Sequence, residues 1–164
     1  MLSSKIQDAL NEQIRDEFYS AYLYLAMSAH CEATNLPGFA RWMRLQGQEE
    51  VSHAMKLFDY INDRGGRALL GAIAEPPAEF RSPLALFEQA LEHERQISGK
   101  IHGLYKLATQ ENDYPTQVML HWFIEEQVEE EKSASEIVAQ LKLIGDHIPP
   151  LLMLDHRLGQ RAGE

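Results

Sequence analysis

The chain has 164 residues, 45% apolar and 24% charged, enough for one domain with a sizeable core, and a formal charge of −10. That acidity argues against nucleic acid as a partner, because phosphate binding needs basic patches, and is compatible with attracting cations. A lone cysteine, Cys31, excludes an internal disulfide framework and a Cys-rich zinc site; no apolar run approaches the ~20 residues of a membrane span, and Met1–Gln13 is amphipathic rather than laid out as a secretion signal, so a cytoplasmic location is expected.

Helix-breaking residues are sparse and clustered. They fall at Thr34-Asn35-Leu36-Pro37-Gly38, at Gly65-Gly66, at Pro76-Pro77 with Ser82-Pro83, at Asn112-Asp113-Tyr114-Pro115, and at Gly145-Asp146 with Pro149-Pro150. Four segments lie between them, about 4–33, 37–64, 83–111 and 115–144, each with apolar residues three and four apart. The first carries Ile6, Leu10, Ile14, Ala21 and Leu25; the second Phe39, Leu57 and Ile61. The third carries Leu84, Phe87, Leu91 and Leu104, and the fourth Leu120, Phe123, Ile124, Ala134, Ile137 and Leu141. The expectation is an all-α protein with four helices, each ~42–45 Å long.

Short breaks near 35 and 113 make two antiparallel hairpins. The stretch 65–81 has no helical signal and, extended, reaches ~56 Å, the full length of a helix. A crossover of that length makes the second and third helices parallel, the ferritin-like arrangement of a bundle with one long connection. The bundle is expected over 1–145, with a short C-terminal helix and tail over 146–164. There Leu151-Leu152-Met153-Leu154 follows two prolines, and four consecutive apolar residues point to a contact with other subunits.

Each apolar stripe is interrupted by polar residues near the middle of its helix: Glu17 on the first, Glu50 and His53 on the second, Glu94 on the third, Gln127 and Glu130 on the fourth. Residues three apart share a helix face, so Glu50 with His53, and Gln127 with Glu130, can act together. All lie within about three residues of their helix midpoints, ~4–5 Å along the axis, and therefore meet at one level whichever way each helix runs. Buried carboxylates facing one another need cations between them, and two divalent ions balance four. Oxygen donors with one imidazole suit Fe(II) or Mn(II) better than structural zinc. Di-iron bundles place one Glu on each of two helices and Glu-x-x-His on the other two; here the second Glu-x-x-His is replaced by Gln127-x-x-Glu130.

Glu17 within Asp16–Tyr24, Gln48–His53, Glu94, Glu125–Glu130 and Asn112-Asp113-Tyr114-Pro115 together resemble the non-haem bacterial ferritins, over nearly the whole chain. The resemblance implies a ferroxidase and iron store, with Fe(II) and dioxygen as substrates and a hollow shell of twenty-four subunits around an Fe(III) mineral. It implies that Glu17, Glu50 and His53 hold one iron, that Glu50, Glu94 and Glu130 hold the other, and that Glu50 bridges them. It makes Gln127 a hydrogen-bonding neighbour and Tyr24 a residue that steadies Glu94 or donates an electron. Glu49, Glu126 and Glu129, sharing Glu130, match a third iron position on the cavity side. Leu151–Leu154 then belongs to a short fifth helix at the four-fold contacts.

Haem is not expected. The related bacterioferritins carry methionine after the bridging glutamate and histidine at the last ligand, where this chain has Val51 and Glu130. The acidic channel positions of animal heavy chains correspond to Gln117 and Leu120. The remaining histidines, including His93, are expected to be surface or packing residues. A rubrerythrin-type oxidase, which calls for a second Glu-x-x-His and paired cysteines, and a non-enzymatic metal buffer are the competing readings.

Overall fold

The computed structural model describes residues 1–163 and contains five helices: α1 (Ser4–Ala33), α2 (Pro37–Asp63), α3 (Pro83–Gln110), α4 (Tyr114–Ile144) and α5 (Ile148–Leu158). Helix starts follow local chemistry. The Ser3, Ser82 and Asp113 side chains accept from the backbone N–H of Ile6, Ala85 and Thr116, satisfying donors that the first turn leaves free. Asp113 caps one residue earlier than Pro115 suggests, so α4 begins at Tyr114.

Three helices end in the same way. Asn35, Gly65 and Asn112 take positive φ of 60°, 71° and 55°, and the N–H groups after them return to the carbonyls of Cys31, Ile61 and Ala108. This is the Schellman closure, which uses a left-handed residue to satisfy the last carbonyls. It ends α2 and α3 at Asp63 and Gln110, one residue short of 64 and 111.

Cross-links give the topology. Asp16–Lys100, Ser20–His93 and Tyr24–Glu94 pair α1 antiparallel to α3, while His53–Glu126 and Gln46–Glu130 pair α2 antiparallel to α4. With α1 and α2 a hairpin, α2 and α3 run parallel. The connection between them lies along α1: Gln7 and Asn11 bind the backbone of Arg67 and Leu69, and His30 meets Glu79 and Phe80. At one end of the bundle Arg64 forks onto Asp113 at 2.9 and 3.1 Å, tying the end of α2 to the start of α4. No described helix is long and apolar enough to cross a membrane.

The core is two apolar clusters, one around Phe39, Met43, Phe87 and Leu141, the other around Ile14, Leu57, Ile101 and Phe123. Along α1 the buried positions repeat by sevens: Ile6, Gln13, Ser20 and Met27; Leu10, Glu17, Tyr24 and Cys31. A seven-residue repeat keeps one seam against partners in a left-handed bundle. Leu25, eight residues after Glu17, has drifted off that seam and is 47% exposed; Tyr24 takes the inward place. Leu120 is fully buried, so it lines the core rather than a channel, and Tyr114, Pro115 and Val118 are the exposed residues at the start of α4.

Helix α5 is longer than Leu151–Leu154 and docks mainly on α2. Leu36 provides no side-chain cap for α2. Instead the buried Asp155 carboxylate accepts from Phe39 N–H at 2.8 Å, a cap supplied by α5. Gly38 permits this approach, since a Cβ there lies 1.7 Å from the Asp155 carbonyl oxygen. Asp155→Ala is expected to lower the unfolding free energy by about 1–2 kcal/mol in denaturant melts. Gly38→Ala is expected to release α5, read as loss of amide-exchange protection over 148–158 while the four long helices stay protected.

Candidate metal centre

The four long helices deliver Glu17, Glu50, His53, Glu94, Gln127 and Glu130 to one layer between the two apolar clusters, each no more than 6% exposed. Ligand atoms of Glu17, Glu50 and His53 lie within 4.8 Å of one another, as do those of Glu50, Glu94 and Glu130. Glu50 belongs to both groups, so the geometry describes two adjacent positions sharing one carboxylate.

Both oxygens of Glu94 and one oxygen of each of the other three carboxylates are held by amide, phenol or imidazole groups. Gln13 Nε2 donates to Glu17 at 2.9 Å, and His53 Nδ1 lies 3.1 Å from Glu50 Oε2. The Tyr24 hydroxyl donates to Glu94 Oε1 at 2.5 Å, and Gln127 Nε2 reaches Glu94 Oε2 at 3.1 Å and the Glu94 carbonyl at 3.2 Å. Gln46 Nε2 donates to Glu130. Glu17 Oε2 and Glu50 Oε1 are buried without any hydrogen-bond partner. A buried acceptor left bare is costly, and a carboxylate more so.

The protonation equilibria record the same strain. Burial pushes Glu17 from 4.5 up to about 7, against the contacts with Glu50 and Gln13. Burial, then the charges of Glu94, Glu17 and Glu130, raises Glu50 well above the usual range. Burial raises Glu94, opposed by the Tyr24 and Gln127 hydrogen bonds. Glu130 is pushed up to about 9 by burial and then by Glu94 and Glu49. Burial, then Lys56, depresses His53 to about 4, so its imidazole is neutral and offers a lone pair at neutral pH. Tyr24 is raised by burial and then by Glu94, which keeps its phenol protonated.

The outer residues are arranged differently. Glu49, Glu126 and Glu129 line a pocket of about 230 Å³ beside Glu130, with Glu49 and Glu126 half-buried and Glu129 exposed. Glu126 lies 3.9 Å from His53 Nε2, and ligand atoms of His53, Glu126 and Glu130 come within 4.8 Å of one another. Glu49 and Glu129 are in no such group among the described residues; Glu49 pairs with Arg161 at 2.8 Å. Gln13, Gln46 and Arg161 are the site neighbours that sequence reasoning missed. The two glutamines stand four residues before Glu17 and Glu50 on the buried face, which was a usable signal. Arg161 had none. His93, placed among packing residues, bonds Ser20 Oγ at 2.7 Å and is pushed down to about 4 by burial.

The family model described as the ferritin-like domain matches residues 7–144. The chain belongs to the ferritin family. It is 44% identical to a bacterial non-heme ferritin of Bacteroides fragilis over 98% of this chain and 100% of that one. A bacterial non-heme ferritin of Staphylococcus saprophyticus is 41% identical, with 99% and 97% covered. Among solved structures, the open-pore ferritin of the archaeon Archaeoglobus fulgidus superposes with a TM-score of 0.98 at 50% identity, covering 99% of both chains. An engineered closed form of the A. fulgidus protein gives 0.99 at 49%, covering 100% of both.

Carboxylates with raised folded values retain protons that the unfolded chain releases above about 4.5, so their contribution to stability is full at low pH and is lost as pH rises through the folded values. The metal-free ferritin is therefore expected to melt at progressively lower temperature from pH 5 to pH 9. Saturating Zn²⁺, which favours the ionised ligands, should raise the melting temperature and remove that slope. Glu50→Gln should raise the metal-free melting temperature and blunt the zinc effect. Calorimetry at three pH values checks both.

Proposed function

We propose that this chain is a subunit of an iron-storing shell that oxidises Fe(II) with dioxygen at the four-helix carboxylate layer. The observation that carries the reading is the pair of bare buried oxygens, Glu17 Oε2 and Glu50 Oε1, in a layer holding four carboxylates. Four carboxyl groups that resist ionising without a cation, and two orphaned oxygens among them, ask for two divalent cations. The names of the relatives, non-heme ferritins at 41% and 44% identity, make iron the natural one.

In this reading Glu17, Glu50 and His53 hold one Fe(II), Glu50, Glu94 and Glu130 hold the second, and Glu50 bridges. Gln13, Gln46 and Gln127 turn the carboxylates towards the metals by donating to one oxygen of each. Tyr24 steadies Glu94 from the opposite helix and stands close enough to supply an electron. Each Fe(II) gives up one electron to dioxygen, and hard oxygen ligands favour the resulting Fe(III). His53 is the only nitrogen ligand of the set, and its neutral form accepts the metal without first losing a proton.

Glu49, Glu126 and Glu129 with Glu130 then provide a third iron position on the way out, and Fe(III) passes to a mineral inside a shell of twenty-four subunits. The exposed apolar residues Leu143, Ile148, Leu152 and Met153 around α5 supply the kind of surface that a subunit contact covers. Val51 and Glu130 occupy the places where a haem-binding relative differs, so no haem takes part. A cytoplasmic location accords with the single buried cysteine.

Glu50→Ala and His53→Ala are each expected to slow Fe(II) oxidation by about 100-fold or more while size-exclusion chromatography still shows the assembled shell. Oxygen uptake after Fe(II) addition is the measurement, and wild-type rates in an assembled Glu50→Ala shell would refute the assignment. Binding of Fe(II) without oxygen consumption by the wild-type protein would instead indicate a metal buffer.

A further inference from the structure

The segment after α5 places a cation in the outer acid pocket. Arg161 is the one lysine or arginine among the described residues lining it, facing Glu49, Glu126, Glu129 and Glu130. Its guanidinium makes three different contacts. One nitrogen pairs with Glu49 Oε1 at 2.8 Å, and the other donates to Gln46 Oε1 at 2.9 Å and to the Trp42 carbonyl at 3.4 Å. The group also lies 4.9 Å from the centre of the Trp42 ring. Both members of the ion pair are largely withdrawn from water, with side chains 22% and 20% exposed. Fork geometry over an aromatic face is a built contact for a guanidinium.

The contact also reaches the metal layer. Gln46 has one acceptor and one donor end. Arg161 holds the acceptor, which leaves the amide N–H directed at Glu130. The segment itself is anchored nearby through the Asp155 cap on α2 and the close packing of Gly159 against Gly38. Withdrawing the guanidinium leaves these α5 contacts in place; it breaks the Arg161 contacts with Glu49, Gln46 and Trp42.

We infer that Arg161 is a tethered counter-ion of the outer pocket, and that it and a third metal ion are alternative occupants of Glu49. The inference rests on the metal-centre reading above. Two cations on one carboxylate repel, so a metal ion entering at Glu49, Glu126 and Glu129 must expel the guanidinium. Arg161 thereby weakens the outer ion, discouraging iron from lodging there. Its withdrawal frees Gln46, so occupation of the outer position loosens the hold on Glu130, the carboxylate both positions share.

Equilibrium dialysis of assembled shells with Zn²⁺, a redox-inert probe, tests this without reference to oxidation. Arg161→Gln should bind the outer ion roughly tenfold tighter than wild type, because the charged guanidinium no longer competes for Glu49, with the inner ion on Glu17, Glu50 and His53 unchanged. Arg161→Lys should fall between them. In zinc-soaked wild-type crystals, subunits with an ion on Glu49 should show Arg161 withdrawn. Outer affinity that is equal or weaker in Arg161→Gln, or zinc and guanidinium on the same Glu49, overturns the inference. The parallel Glu50→Ala shell separates the two ideas: if it keeps the inner ions, the metal-centre reading fails and carries the inference down with it.

Discussion

Four carboxylates at one height in the core are the constraint around which the rest of the bundle is arranged. Glu17, Glu50, Glu94 and Glu130 each come from a different helix, so the layer forms only if all four helices hold their register. The apolar clusters on either side supply that register and the caps fix the helix ends. The long connection along α1 sets the parallel course of α2 and α3, which brings α3 and α4 back to the same level. Splitting the core with a polar layer costs stability, as the upward push on Glu17 and Glu130 to about 7 and 9 records. A bundle built for stability alone would fill this layer with leucine.

Much of this was legible because long helices repeat on a regular period. The breaks at Asn35, Gly65 and Asn112 are visible as residues that tolerate positive φ, and they close three helices. Glu17, Glu50, His53, Glu94 and Glu130 stood out as polar residues on apolar faces at matched distances from helix centres, and the structure brings them together. Leu25 shows where that reasoning slips. Counting by fours from Ala21 carries it along the stripe, but eight residues after Glu17 it stands about 80° round the helix, whereas Tyr24, seven after Glu17, stays within about 20° of it.

What stayed hidden depends on contacts between parts distant in sequence. Asp155 capping α2 spans 116 positions, and Arg161 reaching Glu49 and Gln46 spans over a hundred. Neither has a local signature, because an aspartate on a helix and an arginine in a tail are ordinary until the docking of α5 is known. Docking also accounts for the division of Glu49 from the deeper carboxylates. It faces the same pocket as Glu126 and Glu129, but it already has a cation from its own chain.

The choice of supporting groups separates a site that exchanges its metal from a structural ion pair. Among the described residues no lysine or arginine pairs with Glu17, Glu50, Glu94 or Glu130; amides, a phenol and a neutral imidazole hold them instead. Neutral donors orient a carboxylate but leave its charge uncompensated. A buried arginine would have satisfied both and closed the site to metal permanently. The protein places its nearest guanidinium one residue further out, on Glu49 and on the far end of Gln46. The inner layer therefore stays short of positive charge, which is the condition the proposed iron site needs if its ions are to enter and leave again. That matters for a centre whose product has to move on to a store.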